Sequence, residues 1–207
     1  LAGPADASGT HPLSVYSRTE EGGDGTPWIQ HASGTLERAG AVAPAALTVW
    51  PPEGAEPLDT DGMYEELAAR GSGYGPMFQG LRAAWRSGDE ICAEVGLPEN
   101  SRATAEDYGL HPAVFDAALH AIGLAATEDE GMALPYAWSG VELFATGASV
   151  VRVRVRPAAG DAPGRSVALD IADVTGQPVA SVTALTLREI AEEQLAAAVR
   201  PAAGTAG

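Results

Sequence analysis

Apolar residues along this chain follow two rhythms, a period of two over several short stretches and a nearly unbroken apolar run over one longer stretch. Val151-Arg152-Val153-Arg154-Val155-Arg156 alternates strictly, which predicts a strand with valines toward a core and arginines toward solvent or a sheet edge. A half-buried strand accounts for that pattern more simply than an anion site does. Residues 12–17 and 28–36 are predicted as strands separated by the Gly/Asp-rich turn 21–25, and together they read as a hairpin. A second hairpin is predicted from 81–86 and 90–97, joined by Ser87-Gly88-Asp89. Residues 141–144, 150–156, 167–173 and 178–187 supply further strands.

Two helices interrupt these strands. Asp61 is placed to cap a short amphipathic helix through Met63, Tyr64, Leu67 and Ala68, ending near Gly71. The second is His111-Pro112-Ala113-Val114-Phe115-Asp116-Ala117-Ala118-Leu119-His120, where one carboxylate and one imidazole interrupt a segment otherwise apolar on every side. A helix apolar all round is normally buried, and an unpartnered ionisable group in such a place costs several kcal/mol, roughly. Asp116 and His120 stand four apart and share a helical face. Two readings stay open: acid/base chemistry carried into a dry cavity, where a carboxyl keeps a proton available for donation, or a polar pair that caps the helix or satisfies the core. From residue 191 onward the chain reads as a frayed helix followed by a linker.

Composition excludes several function classes. A length of 207 residues with 45% hydrophobic residues is enough for a real core. Twenty-eight acidic against twelve basic residues give a net charge of −16, which repels nucleic acid and anionic membrane surfaces, so neither is expected as a partner. All the basic residues are arginine, a bias best attributed to GC-rich coding. No apolar run is long enough to span a membrane, and residues 1–6 lack the pattern of a signal peptide. The single Cys92 rules out an internal disulfide, and no Cys/His cluster has zinc spacing. The expectation is a cytoplasmic protein without a structural metal. The absence of an initiator Met indicates a start inside a longer polypeptide.

The Ala/Pro-rich segment 40–57, with Trp50-Pro51-Pro52, is too rich in proline for regular structure and is the expected boundary, a linker packed along a surface. After it come a short helix, a hairpin, the apolar helix and three or four antiparallel strands. A curved antiparallel sheet wrapped around a central helix fits this order, an α+β hotdog fold.

Three motifs then carry a resemblance. Tyr74-Gly75-Pro76-Met77-Phe78-Gln79-Gly80-Leu81, the His111 to His120 segment, and Leu134-Pro135-Tyr136-Ala137-Trp138-Ser139-Gly140 stand in the order and spacing of the dehydratase domains of modular type I polyketide synthases. The similarity extends back over residues 28–36 and forward to about Glu189. It implies a double hotdog that removes water from a β-hydroxyacyl thioester on an acyl carrier protein, giving an α,β-unsaturated thioester, with the site between the two halves. It makes Asp116 the catalytic acid and His120 its hydrogen-bonding neighbour. It places Tyr74, with Gly75, Pro76 and Phe78 of the glycine-rich motif, along the site, and Leu134 and Pro135 at the acyl tunnel. No metal or organic cofactor is implied, the substrate being carried on the phosphopantetheine arm of the carrier protein. Expected partners are that carrier protein, neighbouring synthase domains and a second copy in a homodimer.

The family's catalytic histidine belongs to a motif of His, three residues, Gly, four residues and Pro, which does not occur here; His11, His31, His111 and His120 lie elsewhere. The resemblance therefore implies that residues 1–39 are the last strands of a first hotdog, 40–57 a linker, 58–190 a complete second hotdog and 191–207 a C-terminal linker, with the base-bearing segment upstream and missing. Elimination needs a base for the α-hydrogen and an acid for the departing hydroxyl, both set on the substrate together. Asp116 supplies half. The leading expectation is a dehydratase that is inactive as this chain alone. The alternatives are a non-catalytic structural remnant in a megasynthase, or an isomerase or ring-forming variant on the same fold.

Overall fold

The structure is a computed structural model that describes residues 1–20, 25–38, 40, 42–124, 133–159 and 165–189. It divides into two units, residues 1–42 and 43–207. In the first, β1 (His11–Ser17) and β2 (Ile29–Leu36) form the expected antiparallel hairpin, with a bulge between Val15 and Tyr16. The turn predicted at 21–25 falls largely outside the described residues, as does the C-terminal helix and linker expected from 191.

The second unit is a hotdog. Seven antiparallel strands, β3 (Glu56–Leu58), β4 (Leu81–Ser87), β5 (Glu90–Gly96), β6 (Ala133–Leu143), β7 (Val150–Pro157), β8 (Arg165–Ala172) and β9 (Pro178–Glu189), pair in the order β3-β4-β5-β7-β8-β9-β6. Between β5 and β6 the chain leaves the middle of the sheet, runs through helix α2 (Pro112–Gly123) and returns at the far edge. A shorter helix, α1 (Met63–Ala69), precedes β4.

The core lies between the sheet and one face of α2. Val151, Val153 and Val155 of β7 are buried as the alternation predicts, together with Ile91, Val95, Leu169, Ile171, Val182 and Leu185. Ala113, Val114, Ala117, Ala118, Ala121 and Ile122 of α2 pack onto them. Each large aliphatic side chain withdrawn from water in this way contributes about 1.5–3 kcal/mol.

Several expectations are corrected. Helix α2 is fully buried on one face only: Phe115, Asp116, Leu119 and His120 on the other side are half-buried, under partial cover from Tyr64, Tyr74 and Trp138. Segment 40–57 is more than a linker. Leu47 is buried, donates its backbone N–H to the Gly176 carbonyl at 2.8 Å, and its carbonyl accepts from the Arg152 guanidinium at 2.8 Å. Trp50 packs edge-on to Trp85, and residues 56–58 are a sheet strand. Gly176 has a positive φ of 89°, and a Cβ there would collide with the Leu47 carbonyl, so glycine is what lets this segment dock.

The β7 arginines also do more than face solvent. Arg154 donates to the buried Asp170 carboxylate at 2.8 Å and Arg156 at 3.3 Å, a satisfied ion-pair group on the outer face of the sheet. Gly62, not Asp61, occupies the N-cap of α1, in a left-handed conformation. Strand β6 begins at Ala133, well before the predicted 141, and absorbs the whole Leu134 to Gly140 motif. Cys92 is fully buried and its thiol is pushed up to about 11 by that burial, which leaves it an inert core residue. No helix among the described residues is long and apolar enough to cross a membrane.

Leu169 is fully buried at the centre of the sheet. Leu169→Ala is expected to destabilise the fold by about 2–5 kcal/mol, read as a lower urea midpoint; a loss below ~1 kcal/mol would show that this core is not packed around β8.

Candidate active site

The site is built on α2, whose start is fixed by several contacts. His111 takes the N-cap position and its Nδ1 accepts the Ala113 N–H at 3.1 Å, while Pro112 fills the first helical position, where a missing N–H costs nothing. Leu110 bridges to Ala148, and the Gly147 N–H bonds to the carbonyls of Tyr108 and Gly109. At the other end, Arg86 of β4 donates to the Leu124 carbonyl at 2.8 Å, a cation at the negative pole of the helix.

The glycine-rich motif reaches the same helix from the opposite direction. Pro76 opens a short 3-10 turn, Pro76–Phe78, with Gly75 at its N-cap, and Gly80 then leads into β4. A Cβ added to Gly80 would stand 2.8 Å from the Ala117 Cβ and 3.1 Å from the Gly96 carbonyl oxygen. Only glycine admits the helix this close to β4, and Ala117 directly follows Asp116.

On the half-buried face of α2, Asp116 and His120 meet as their spacing predicts: His120 Nε2 lies 3.4 Å from Asp116 Oδ2. Their environments differ sharply. The His120 side chain is 7% exposed and the Asp116 side chain 41%. His120 is enclosed by two tyrosine rings, Tyr74 at 4.4 Å and Tyr64 at 5.5 Å between centroids, both edge-on. Tyr64 Oη stands 3.1 Å from His120 Nδ1 and accepts the Leu81 backbone N–H at 2.9 Å. Nε2, by contrast, is buried without a well-aligned hydrogen bond, its nearest acceptor being Asp116 Oδ2.

These placements set the electrostatics. Burial pulls the His120 imidazole below its ordinary value of 6.5, outweighing the attraction of the Asp116 carboxylate, so the ring is neutral near pH 7. Burial pushes the Tyr64 and Tyr74 hydroxyls up, and the neighbouring Asp116 carboxylate pushes both in the same direction. They remain protonated donors.

The structure thus brings together Asp116, His120 and Tyr74 of the predicted residues. Gly75, Pro76 and Phe78 form the turn that follows Tyr74, with Phe78 exposed. Leu134 and Pro135 lie on edge strand β6, paired with Arg188 and Leu187, and β6 reaches α2 through the contact of Trp138 with Phe115. Among the described residues the Asp116 carboxyl is not enclosed in a dry cavity, its side chain being 41% exposed. A cavity of about 390 Å³ is lined by Leu110, Pro112, Phe115, Val141, Leu143 and Val182 among others, and Asp116 is not part of its lining. Sequence reasoning missed Tyr64, which looks like one more apolar position of an amphipathic helix. Its only sequence signal is a hydroxyl on an otherwise apolar face. Of the remaining histidines, His11 bonds the Gly3 carbonyl and His31 bonds Ser17 Oγ, both within the first unit. Among the described residues no three His, Cys, Asp or Glu side chains converge as a metal-ligand group.

Comparison with known proteins adds the family. The sequence model of the polyketide synthase dehydratase N-terminal domain matches residues 42–197. Polyketide synthase GfsA of Streptomyces halstedii is 48% identical over 202 residues, which are 95% of this chain and 3% of that protein. A structure solved for dehydratase substrate selection in the borrelidin and fluvirucin polyketide synthases is 46% identical with a TM-score of 0.81, over 90% of this chain and 64% of that one. The bifunctional dehydratase-cyclase domain of ambruticin biosynthesis is 42% identical with a TM-score of 0.78, over 90% of this chain and 66% of the other. The chain therefore spans a small part of the curated synthase and just under two thirds of the solved domains.

The low pKa of His120 has a definite sign for stability. The unfolded chain takes up a proton on this residue more readily than the folded chain, so the stability linked to it is complete above pH 6.5 and is lost as pH falls through 6.5 toward the folded value. Relative to His120→Gln, the wild-type urea midpoint is expected to drop when pH is lowered across this window. A parallel pH profile for the two proteins would refute the burial argument. Gly80→Ala is expected to destabilise by about 1–3 kcal/mol and to broaden or shift the Asp116 amide resonance; an unchanged spectrum would show that helix and strand have room to spare.

Proposed function

The chain belongs to the polyketide synthase dehydratase family, and from that premise we propose that it carries the acid half of a dehydratase active site acting on a β-hydroxyacyl thioester held by an acyl carrier protein. The second unit is read as the second of two hotdogs, and the first unit as the end of its partner. The observation that carries the proposal is the pairing of an accessible carboxyl, Asp116, with a buried neutral imidazole, His120, on the half-buried face of α2.

The chemistry follows from that pairing. A base removes the α-hydrogen, the electron pair moves into the new Cα–Cβ double bond, and the β-hydroxyl departs as water with the proton of Asp116. The carboxylate left behind recovers a proton before the next turnover. Held so that its carboxyl meets the hydroxyl while the base meets the α-hydrogen, the substrate reacts without a metal or organic cofactor. The base is assigned to a histidine supplied from beyond the second unit. Support for this is that both histidines of the second unit are already engaged, His111 as a helix cap through Nδ1 and His120 beside Asp116. Tyr74 flanks the imidazole, and the turn 75–78 and strand β6 are read as bordering the acyl chain. Partners in this reading are the carrier protein, the adjoining synthase domains and the remainder of the first hotdog.

Two measurements test this. Asp116→Asn in the complete domain is expected to lower dehydration of a β-hydroxyacyl carrier substrate at least ~100-fold with circular dichroism unchanged, and retained turnover would remove Asp116 from the acid role. The 207-residue chain assayed alone is expected to give no unsaturated product. Turnover by it would assign the base to one of its own histidines, and a cyclic ether product from the complete domain would favour ring closure over simple dehydration.

A further inference from the structure

Among the described residues, Tyr64 is the polar side chain against His120 that the dehydratase reading leaves without a role. Its hydroxyl accepts the Leu81 N–H at 2.9 Å, has the Gly80 backbone beside it, and lies 3.1 Å from His120 Nδ1. A backbone N–H can only donate, so one lone pair of Tyr64 Oη is committed to Leu81. Two arrangements remain for the contact with the imidazole. If Nδ1 carried the proton, Tyr64 would accept twice, its own O–H would have no partner, and the Nε2 lone pair would face the Asp116 carboxylate. If Tyr64 donates to Nδ1, the hydroxyl both accepts and donates, and the imidazole proton stands on Nε2, facing Asp116 Oδ2 at 3.4 Å, the arrangement that leaves the fewest groups without a partner.

We infer that Tyr64 is a positioning residue that locks His120 in the Nε2–H tautomer and thereby confines the transferable proton of Asp116 to Oδ1. With Nε2–H directed at Oδ2, that oxygen serves as the carbonyl acceptor, a role the hydroxyl oxygen of a protonated carboxyl fills poorly. The proton the acid delivers therefore resides on Oδ1, the oxygen turned away from His120. The backbone bond from Leu81 fixes the tyrosine hydroxyl in place, and Leu81 follows Gly80, where β4 approaches α2. The turn that admits the helix and the hydroxyl that sets its histidine are thus one local structure. The Nε2 to Oδ2 distance is long for a hydrogen bond, as catalytic contacts are before substrate tightens them. Three observations support a ring held in one state: the 7% exposure of the His120 side chain, its two edge-on tyrosines, and the burial that keeps it neutral.

The tautomer part stands on geometry alone, and the delivery of the proton rests on the dehydratase reading, so the two are tested separately. In the full 15N-labelled chain above pH 6.5, the His120 ring nitrogens are expected to show a pyrrole-type Nε2 and a pyridine-type Nδ1. Tyr64→Phe is expected to shift the ring toward the Nδ1–H form while the ring signals of His111 stay unchanged as a check on folding. A wild-type Nδ1–H tautomer, or no response to Tyr64→Phe, overturns the inference whatever the activity. In the complete domain, Tyr64→Phe is expected to lower kcat about tenfold with little change in KM. In a His120→Gln background the same substitution is expected to cost less than about twofold, because an amide directs its NH2 at the carboxylate without a tautomer to set. An equal loss in both backgrounds would show that Tyr64 acts only through the fold. A complete domain without dehydratase activity would overturn the proton-delivery part together with the dehydratase reading, leaving the tautomer to the NMR result.

Discussion

The close fit of one face of α2 against the sheet is the constraint on which the site depends. That face is built from small residues, Ala113, Ala117, Ala118 and Ala121 with Val114 and Ile122, and all are buried. Small side chains let the helix approach the strands, and the absence of a Cβ at Gly80 removes the last obstacle beside Ala117. Because interiors pack as densely as organic crystals, a helix seated this closely has little freedom to rotate. Its opposite face therefore projects Asp116 and His120 in a fixed direction. The orientation of the acid is a by-product of hydrophobic packing one residue away.

Around that fixed face, polarity is graded over a few ångströms. Asp116 meets solvent, His120 behind it is almost fully enclosed, and the Tyr64 hydroxyl behind His120 ends the series on a backbone N–H. A buried imidazole avoids the cost of burying charge by staying neutral, and a buried tyrosine by keeping its proton. Each member is then a defined donor or acceptor, which a solvated set of the same residues would not be. The outer face of the sheet solves its polar burial differently, with the Asp170 carboxylate held between Arg154 and Arg156. There charge is kept and compensated in place, and it serves the fold.

Much of this was legible in the residues. Period-two stretches located the strands because a strand half-covered by a core must alternate, and β7 does so without exception. The i, i+4 spacing of Asp116 and His120 placed them on one face because helical geometry is local. The glycines of the Tyr74 to Leu81 motif marked a close approach. Less legible was how far each element would be covered. The apolar α2 segment looked buried all round, yet its composition does not say on how many sides a neighbour stands, and the Asp116 side chain is 41% exposed. Segment 40–57 looked structureless from its prolines, but Leu47 docks through its backbone on Gly176, a contact between residues more than a hundred apart.

By itself, then, the sequence determined what short-range geometry controls: strand and helix identity, the shared face of the carboxyl and imidazole, the positions where only glycine fits, and the family. Tertiary structure alone decided what lies against His120. Tyr64 is 56 residues away and belongs to a separate helix, so nothing in its local pattern distinguishes it from a core position. Hydrogen bonding depends on distance and direction in space, and those are fixed only when the whole chain has closed around its core.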